Sequence, residues 1–282
     1  MKNKAKLSSA LKCAAVSSIV LSVIIGAAYF LAMKTGFNPV IGHFDPTPWF
    51  WIFSIGIAAA AVIALVCAVL CRGYGFSAPE TTIAETTVRA VSAALSLFIF
   101  AQFIMGVFVE HLYFTKLNKA AGILLVFIAI AFICSMLQPR VSRSFTAVAF
   151  ILAALAVNIN IFSYYFNFSL PVNSPVRNVA IIMQCAVLLF MIAEARLFLP
   201  RESGRSTAQF AAFVYLVTFT LCFGLTLAAI VFNAVFPDAG VPNLDSGRLA
   251  LFLCISILSI FRFVKIAQNL TEPEKDNAEN KD

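Results

Sequence analysis

Five polar residues lie inside long apolar stretches of this 282-residue chain, where their side chains could do chemistry. Asn158, Asn160 and Gln184 carry amides, which both donate and accept hydrogen bonds and can therefore bind uncharged polar solutes. Glu194 and Arg262 carry opposite charges, which form a charge-assisted pair when they lie close together. Each of these groups is costly to bury alone in apolar surroundings, so each is expected to face a partner.

The three amides are predicted to form one polar layer, which makes them candidate ligand-binding residues. Asn158 and Asn160 lie on one predicted helix and Gln184 lies on the next, at a similar distance from the loop that joins the two helices. Residues two positions apart are separated by about 200° around a helix, so both asparagines cannot face Gln184. Two interpretations remain open: the amides hold helices together, or they line a cavity for a small, weakly polar solute.

Glu194 and Arg262 are predicted to form a structural ion pair. Each lies one to two helical turns from the same predicted end of its apolar run, so the two side chains would meet at equal depth. Arg196 and Arg201 are alternative partners for the carboxylate. Arg196 is two positions along the helix and faces elsewhere, and Arg201 lies beyond a proline.

One short motif in the sequence has the spacing of a catalytic element. Glu85 and Arg89 have the E-x-x-x-R spacing, which is similar to an element of the prenyl-protein (CAAX-type) proteases. That resemblance implies intramembrane proteolysis with histidines close to the glutamate, but His43 and His111 are both predicted at the opposite end of the helices. We therefore interpret Glu85 and Arg89 as part of a charged loop that leads into the third apolar run. Zinc-binding, P-loop and serine-hydrolase motifs are absent from the sequence, so no catalytic residue, metal or cofactor is predicted.

The composition indicates a membrane protein. Hydrophobic residues make up 61% of the chain and charged residues 12%, whereas soluble domains have roughly 45–50% and about 25%. A helix needs about 20 apolar residues to cross the hydrocarbon core. Runs that meet this requirement predict an all-α polytopic membrane bundle of about eight transmembrane helices, at 11–33, 50–71, 90–112, 120–138, 145–166, 178–199, 210–236 and 249–268.

Lysine and arginine positions predict how the bundle is oriented. Fifteen of the 20 lie on the side of the bundle that holds the N-terminus, which the positive-inside rule assigns to the cytoplasm. An even number of spans also returns the C-terminus to that side, and the loop 237–248 is then external. We predict one transmembrane domain, 1–270, followed by a short charged cytoplasmic tail, 271–282. This topology accounts for the net charge of +7, so no nucleic-acid partner is predicted.

One part of the chain has a recognisable resemblance. Y-Y-F-N at 164–167, P-V-N-S-P at 171–175 and A-E-A-R at 193–196 together resemble a pattern of uncharacterised multi-pass bacterial inner-membrane proteins. The similar region covers about residues 160–200, and that family has no assigned activity to carry over. The resemblance implies a location in a bacterial inner membrane.

Three functions are compatible with these observations. Scarce charge within the apolar runs and the lack of a soluble catalytic domain favour a non-enzymatic sensing, regulatory or assembly component. The alternative is a secondary transporter of a small, weakly polar solute that uses the amide layer, and the third is an intramembrane enzyme. The expected partners are the lipid bilayer and either another membrane protein or a second copy of the chain.

Overall fold

A computed structural model describes residues 2–38, 42–76, 81–108, 116–166, 175–199, 207–237 and 245–271. In chain order these contain the helices α1 (Lys2–Gly36), α2 (Pro48–Leu70), α3 (Ile83–Phe108), α4 (Lys116–Leu124), α5 (Val126–Met136), α6 (Arg143–Tyr165), α7 (Pro175–Phe198), α8 (Thr207–Val235) and α9 (Ser246–Gln268). The described strands are β1 (Phe37–Asn38), β2 (His43–Phe44), β3 (Gly75–Phe76) and β4 (Leu270–Thr271).

The predicted fold is confirmed as an all-α bundle. In the described part of the chain, eight helical segments are long and apolar enough to cross a membrane. The fourth of these is not one regular helix, because α4 and α5 are separated at Leu125. There the backbone changes to the tighter three-residue hydrogen-bond pattern, with Leu125 N donating to Gly122 O at 3.3 Å and Ile128 N to Leu125 O at 3.1 Å.

Two short antiparallel ladders mark the two ends of the bundle. Phe37 pairs with Phe44 between β1 and β2, in the connection from α1 to α2. Gly75 pairs with Thr271 between β3 and β4, which joins the connection after α2 to the chain that follows α9. We refer to these ends as the β1–β2 end and the β3–β4 end. Residues 272–282 of the predicted tail lie outside the described residues.

Helix α8 lies at the centre of the bundle. Of its most apolar window, 78% is buried, the largest share among the eight spans, and it packs against α1, α2, α7 and α9. Small residues permit this close packing, since Gly224 of α8 lies directly against Gly26 and Ser22 of α1. On the other side, α3 packs against α9, α6 packs against α7, and the α4–α5 span packs against α3 and α6.

Helix α3 begins at Ile83, earlier than the predicted start of the third run at residue 90. The cause is a reciprocal cap before the apolar residues. Glu85 N donates to Thr82 Oγ1 at 3.3 Å, and Thr82 N donates to Glu85 Oε2 at 3.0 Å. This T-x-x-E capping box satisfies two backbone donors at the helix start, so the helix includes Glu85 and Arg89. Our interpretation of these two residues as part of a loop was therefore wrong.

Candidate functional site

The predicted amide layer contains one hydrogen-bonded pair and one separate residue. Asn160 Nδ2 donates to Gln184 Oε1 at 2.7 Å, which joins α6 to α7. Gln184 is fully buried and Asn160 is 8% exposed. Asn158 is half-buried, and among the described residues its amide has no hydrogen-bond partner. The structure thus brings two of the three amides together and leaves the third on another side of α6, as a separation of about 200° requires.

Asn160 also lines a cavity of about 220 Å³ towards the β1–β2 end. We call this space the amide cavity, and it is bounded by residues of four helices: Phe103 of α3; Asn118, Ala121 and Gly122 of α4; Asn160, Ser163 and Tyr164 of α6; and Arg248 of α9. Its volume is below the roughly 300–1,000 Å³ of pockets for drug-sized ligands. Five of its eight lining residues are polar, so the cavity suits a small solute that forms hydrogen bonds.

The single cation that lines the amide cavity is balanced by a carboxylate. Arg248 Nε lies 3.0 Å from Asp245 Oδ2, and Asp245 Oδ1 also accepts from Arg248 N at 2.8 Å as the N-cap of α9. The Arg248 side chain is 28% exposed and that of Asp245 is 50% exposed. Elsewhere in the lining, Ser163 Oγ donates to Asn118 Oδ1. The amide cavity therefore favours neutral or zwitterionic solutes over strongly charged ones.

The α4 wall of the amide cavity lies next to the irregular step in the fourth span. Gly122 packs against the ring of Phe103, and a Cβ atom at this position would overlap that ring. Leu125, where the helix is interrupted, is less than one turn further along. A mid-helix step of this kind often marks a functional hinge or a sequence under strain, and here it borders the α4 wall of the amide cavity.

Glu194 forms the centre of a second polar group, at the β3–β4 end. Arg262 Nε donates to Glu194 Oε1 at 3.0 Å, and Arg262 Nη2 donates to Oε2 at 3.2 Å, which is a bidentate pair. Arg89 Nη2 adds a bond to Oε2 at 2.9 Å, and the Tyr215 hydroxyl donates to Oε1 at 2.8 Å. Four side-chain donors from α3, α8 and α9 therefore meet one carboxylate on α7.

A second carboxylate extends this group. Glu85 Oε2 pairs with Lys265 Nζ, and Glu85 Oε1 lies 3.9 Å from Arg262 Nη1. Glu85, Arg89, Glu194 and Arg262 are each at most 2% exposed, while the side chain of Lys265 is 12% exposed. We call the whole set the charge cluster, and its members are Glu85, Arg89, Glu194, Tyr215, Arg262 and Lys265.

Two of the six members of the charge cluster were predicted from the sequence. Glu194 and Arg262 were expected at equal depth, and the structure brings them into contact. Arg196, one of the alternative partners, is exposed and lies over the ring of Phe210 with its guanidinium carbon 4.8 Å from the ring centroid. Arg201, the other alternative, lies outside the described residues.

The charge cluster is better suited to holding helices together than to proton transfer. Both oxygens of Glu194 accept two hydrogen bonds each, which leaves little capacity for attack on a substrate or for removal of a proton. His43 lies in β2 at the opposite end and His111 lies outside the described residues. Among the residues that the structure describes, no group of three His, Cys, Asp or Glu side chains could hold a metal ion.

Comparisons with known proteins do not assign a role to either site. The chain matches no family model, no curated protein and no solved structure. The resemblance predicted over residues 160–200 stays a prediction.

Proposed function

We propose that this protein is a non-enzymatic membrane protein that senses a small neutral or zwitterionic solute through the amide cavity. The observation that carries the proposal is a polar cavity of about 220 Å³ among helices that are long and apolar enough to cross a membrane. Polar side chains within a membrane-spanning bundle are rare and usually have a functional role. The buried Asn160–Gln184 hydrogen bond fixes the orientation of one lining amide, which favours a specific ligand over a loosely held group of waters.

A secondary transporter is the second candidate. Transporter sites are often built beside interrupted helices, whose irregular backbone lies next to a cavity, and the step at Leu125 adjoins the Gly122 wall. Against continuous passage, the charge cluster ties four helices together at the β3–β4 end. These buried ion pairs resist separation of the four helices at that end, so we favour sensing.

Ligand binding is tested by thermal unfolding of the purified protein in detergent with a panel of small polar solutes. We expect a stabilising solute to bind at least about tenfold more weakly to Asn160→Leu, since an energy of about 1.4 kcal/mol corresponds to tenfold. The matched control is Asn158→Leu, the same change two positions earlier on α6 and outside the cavity lining, which should keep the solute effect.

A second cavity variant and an uptake measurement complete the test of ligand binding. Should Asn160→Leu not fold, Ser163→Ala changes the lining without touching the Asn160–Gln184 bond and should also weaken binding. Equal loss in the Asn158 and Asn160 variants, or no stabilisation by any solute, would contradict the proposal. Uptake of the stabilising solute into proteoliposomes would favour the transporter over the sensor.

We further propose that the protein lies in a bacterial inner membrane with its β3–β4 end in the cytoplasm. The resemblance over residues 160–200 supports the choice of membrane, and the distribution of lysine and arginine, 15 of 20 towards that end, supports the orientation. Single cysteines at His43 and Thr81, both exposed and at opposite ends, can be introduced into a cysteine-free variant. In intact cells an impermeant thiol reagent should label His43→Cys and leave Thr81→Cys unlabelled. The reverse pattern would invert the orientation.

A further inference from the structure

One amide lies outside both the amide cavity and the charge cluster. Asn158 of α6 is half-buried, and it has no hydrogen-bond partner among the residues that the structure describes. It lies seven residues before the end of α6 at Tyr165, which places it about 10 Å from the β1–β2 end of that helix. The short side chain of Asn158 does not reach the headgroups from this depth, and an unpaired amide in hydrocarbon is costly.

Asn158 lies within a stripe of exposed apolar side chains on α6. The other five members are each 46–52% exposed, so they project outward from a single copy of the chain. Their spacings alternate between three and four residues, which places them on one face of the helix and is the pattern by which two helices pack along their length. We call this surface the α6 stripe, and its members are Val148, Ile151, Leu155, Asn158, Phe162 and Tyr165.

The asparagine distinguishes the α6 stripe from surfaces that only contact lipid. Helix α2 has an exposed face with the same alternating spacing, but its members are apolar throughout: Trp51, Ile55, Ala58, Val62, Leu65 and Val69. Gln102 of α3 is an exposed amide as well, but its Oε1 lies beside Gly247 in the first turn of α9. Backbone N–H groups in a first turn lack partners within the helix, so Gln102 lies next to polar groups of its own chain.

We propose that the α6 stripe is the contact surface of a homodimer, in which Asn158 bonds to Asn158 of a second copy across a two-fold axis. An amide both donates and accepts, so two identical amides satisfy each other. Copies inserted in the same orientation hold this residue at the same depth, and a parallel contact between two α6 helices therefore brings the amides together. A different protein would need its own polar side chain at that depth, whereas a second copy supplies one by symmetry.

The position of α6 in the bundle permits this contact. Helix α6 packs against α7 and against the α4–α5 span, and the α6 stripe faces away from these neighbours, as its exposure requires. From Val148 to Tyr165 the stripe extends about 26 Å, close to the full thickness of the hydrocarbon core. Asn160, two positions after Asn158, points into the bundle and bonds to Gln184. Dimerisation and solute binding therefore use different faces of α6 and are tested separately.

The first test is disulfide formation between copies in the membrane. Leu155→Cys is introduced into a cysteine-free variant, and membranes are treated with an oxidant and examined on a non-reducing gel. A disulfide requires Cα atoms within about 7 Å, so the two copies of residue 155 should crosslink at least about tenfold faster than residues that meet only by collision. The matched control is Leu65→Cys, the same change on the apolar face of α2, where Leu65 is 57% exposed.

The second test measures the contribution of the amide. Energy transfer between donor-labelled and acceptor-labelled copies in vesicles gives the association constant as the protein is diluted with lipid. Asn158→Leu removes both hydrogen bonds of the symmetric pair and should lower that constant about tenfold. Asn158→Gln keeps an amide and should retain most of the association. The matched control is Asn178→Leu, the same change at an exposed asparagine in the first turn of α7, which should associate as the unmodified protein does.

Three results would overturn the proposal. Equal crosslinking of Leu155→Cys and Leu65→Cys would show that the α6 stripe is not a preferred contact. An association constant that is the same in Asn158→Leu and the unmodified protein would show that the amides do not pair. Purified protein that stays monomeric in vesicles, while Leu155→Cys crosslinks to another protein in cells, would assign the α6 stripe to that different partner.

Discussion

Glu194→Gln is expected to lower the free energy of unfolding by about 3 kcal/mol, because removing one partner of a buried ion pair leaves the other charge uncompensated. In this protein two guanidinium groups would lose their counter-charge, since Arg89 and Arg262 both donate to the Glu194 carboxylate. The replacement has nearly the same shape, so the effect reports charge and not packing. Unfolding of the detergent-purified protein, followed by tryptophan fluorescence or circular dichroism, measures it.

Asp245→Asn is the matched control, with the same carboxylate-to-amide change beside another arginine. The Asp245–Arg248 pair is partly exposed, at 50% and 28%, and exposed pairs contribute about 0–1 kcal/mol. Asparagine also caps a helix as well as aspartate does, so the start of α9 should be preserved. A similar loss of unfolding free energy in the two variants would show that the buried Glu194 carboxylate contributes no more to stability than the exposed Asp245 carboxylate.

The fold could be predicted from the sequence because membrane spans are set by local composition. Eight long apolar runs are read directly along the chain, and each becomes helical since a helix is the only single segment that satisfies its own backbone hydrogen bonds in lipid. The depth of a residue in the membrane is also set by the local sequence, because it follows from the number of residues between that residue and the end of its helix. The contacts of Asn160 with Gln184 and of Glu194 with Arg262 both follow from equal depth on spans that turn out to be neighbours.

Glu85 and Arg89, two of the four other members of the charge cluster, were missed for a specific physical reason. A search for apolar runs ends a span where charges begin, so Glu85 and Arg89 were assigned to a loop. The T-x-x-E capping box at Thr82 and Glu85 was present in the sequence and would have placed both residues on α3. Because Arg89 then faces Glu194, the predicted pair is one part of a larger network, and a simple exchange of the charges at 194 and 262 would bring two guanidinium groups together.

The amide cavity could not be predicted because it depends on lateral arrangement. Its lining comes from α3, α4, α6 and α9, and hydropathy specifies the length and order of these helices but not which ones adjoin. The step at Leu125 also leaves no signal in hydropathy, since the residues around it are as apolar as those of a regular span. Only three-dimensional packing brings Arg248 to the same space as Asn160.

Gly224→Ala is expected to lower the free energy of unfolding by about 2 kcal/mol or more, because added atoms in a well-packed interior force the backbone to shift. A Cβ atom on Gly224 would overlap the backbone carbonyl oxygen of Ser22 on α1. From the other helix, a Cβ atom on Gly26 would lie 2.6 Å from Gly224 O. Because the obstacle is backbone on both sides, α1 and α8 must separate, and α8 is the central helix of the bundle.

Gly247→Ala provides the comparison, since it makes the same substitution near the start of α9. The atom nearest to its Cβ is Ile99 Cγ1 at 3.1 Å, a side-chain atom that a small adjustment can accommodate. Alanine is also favoured over glycine within helices by roughly 0.5–1 kcal/mol, so this variant should stay within about 1 kcal/mol of the unmodified protein. Gly26→Ala should behave like Gly224→Ala. If all three variants unfold at the same denaturant concentration, the close approach of α1 and α8 does not hold the bundle together.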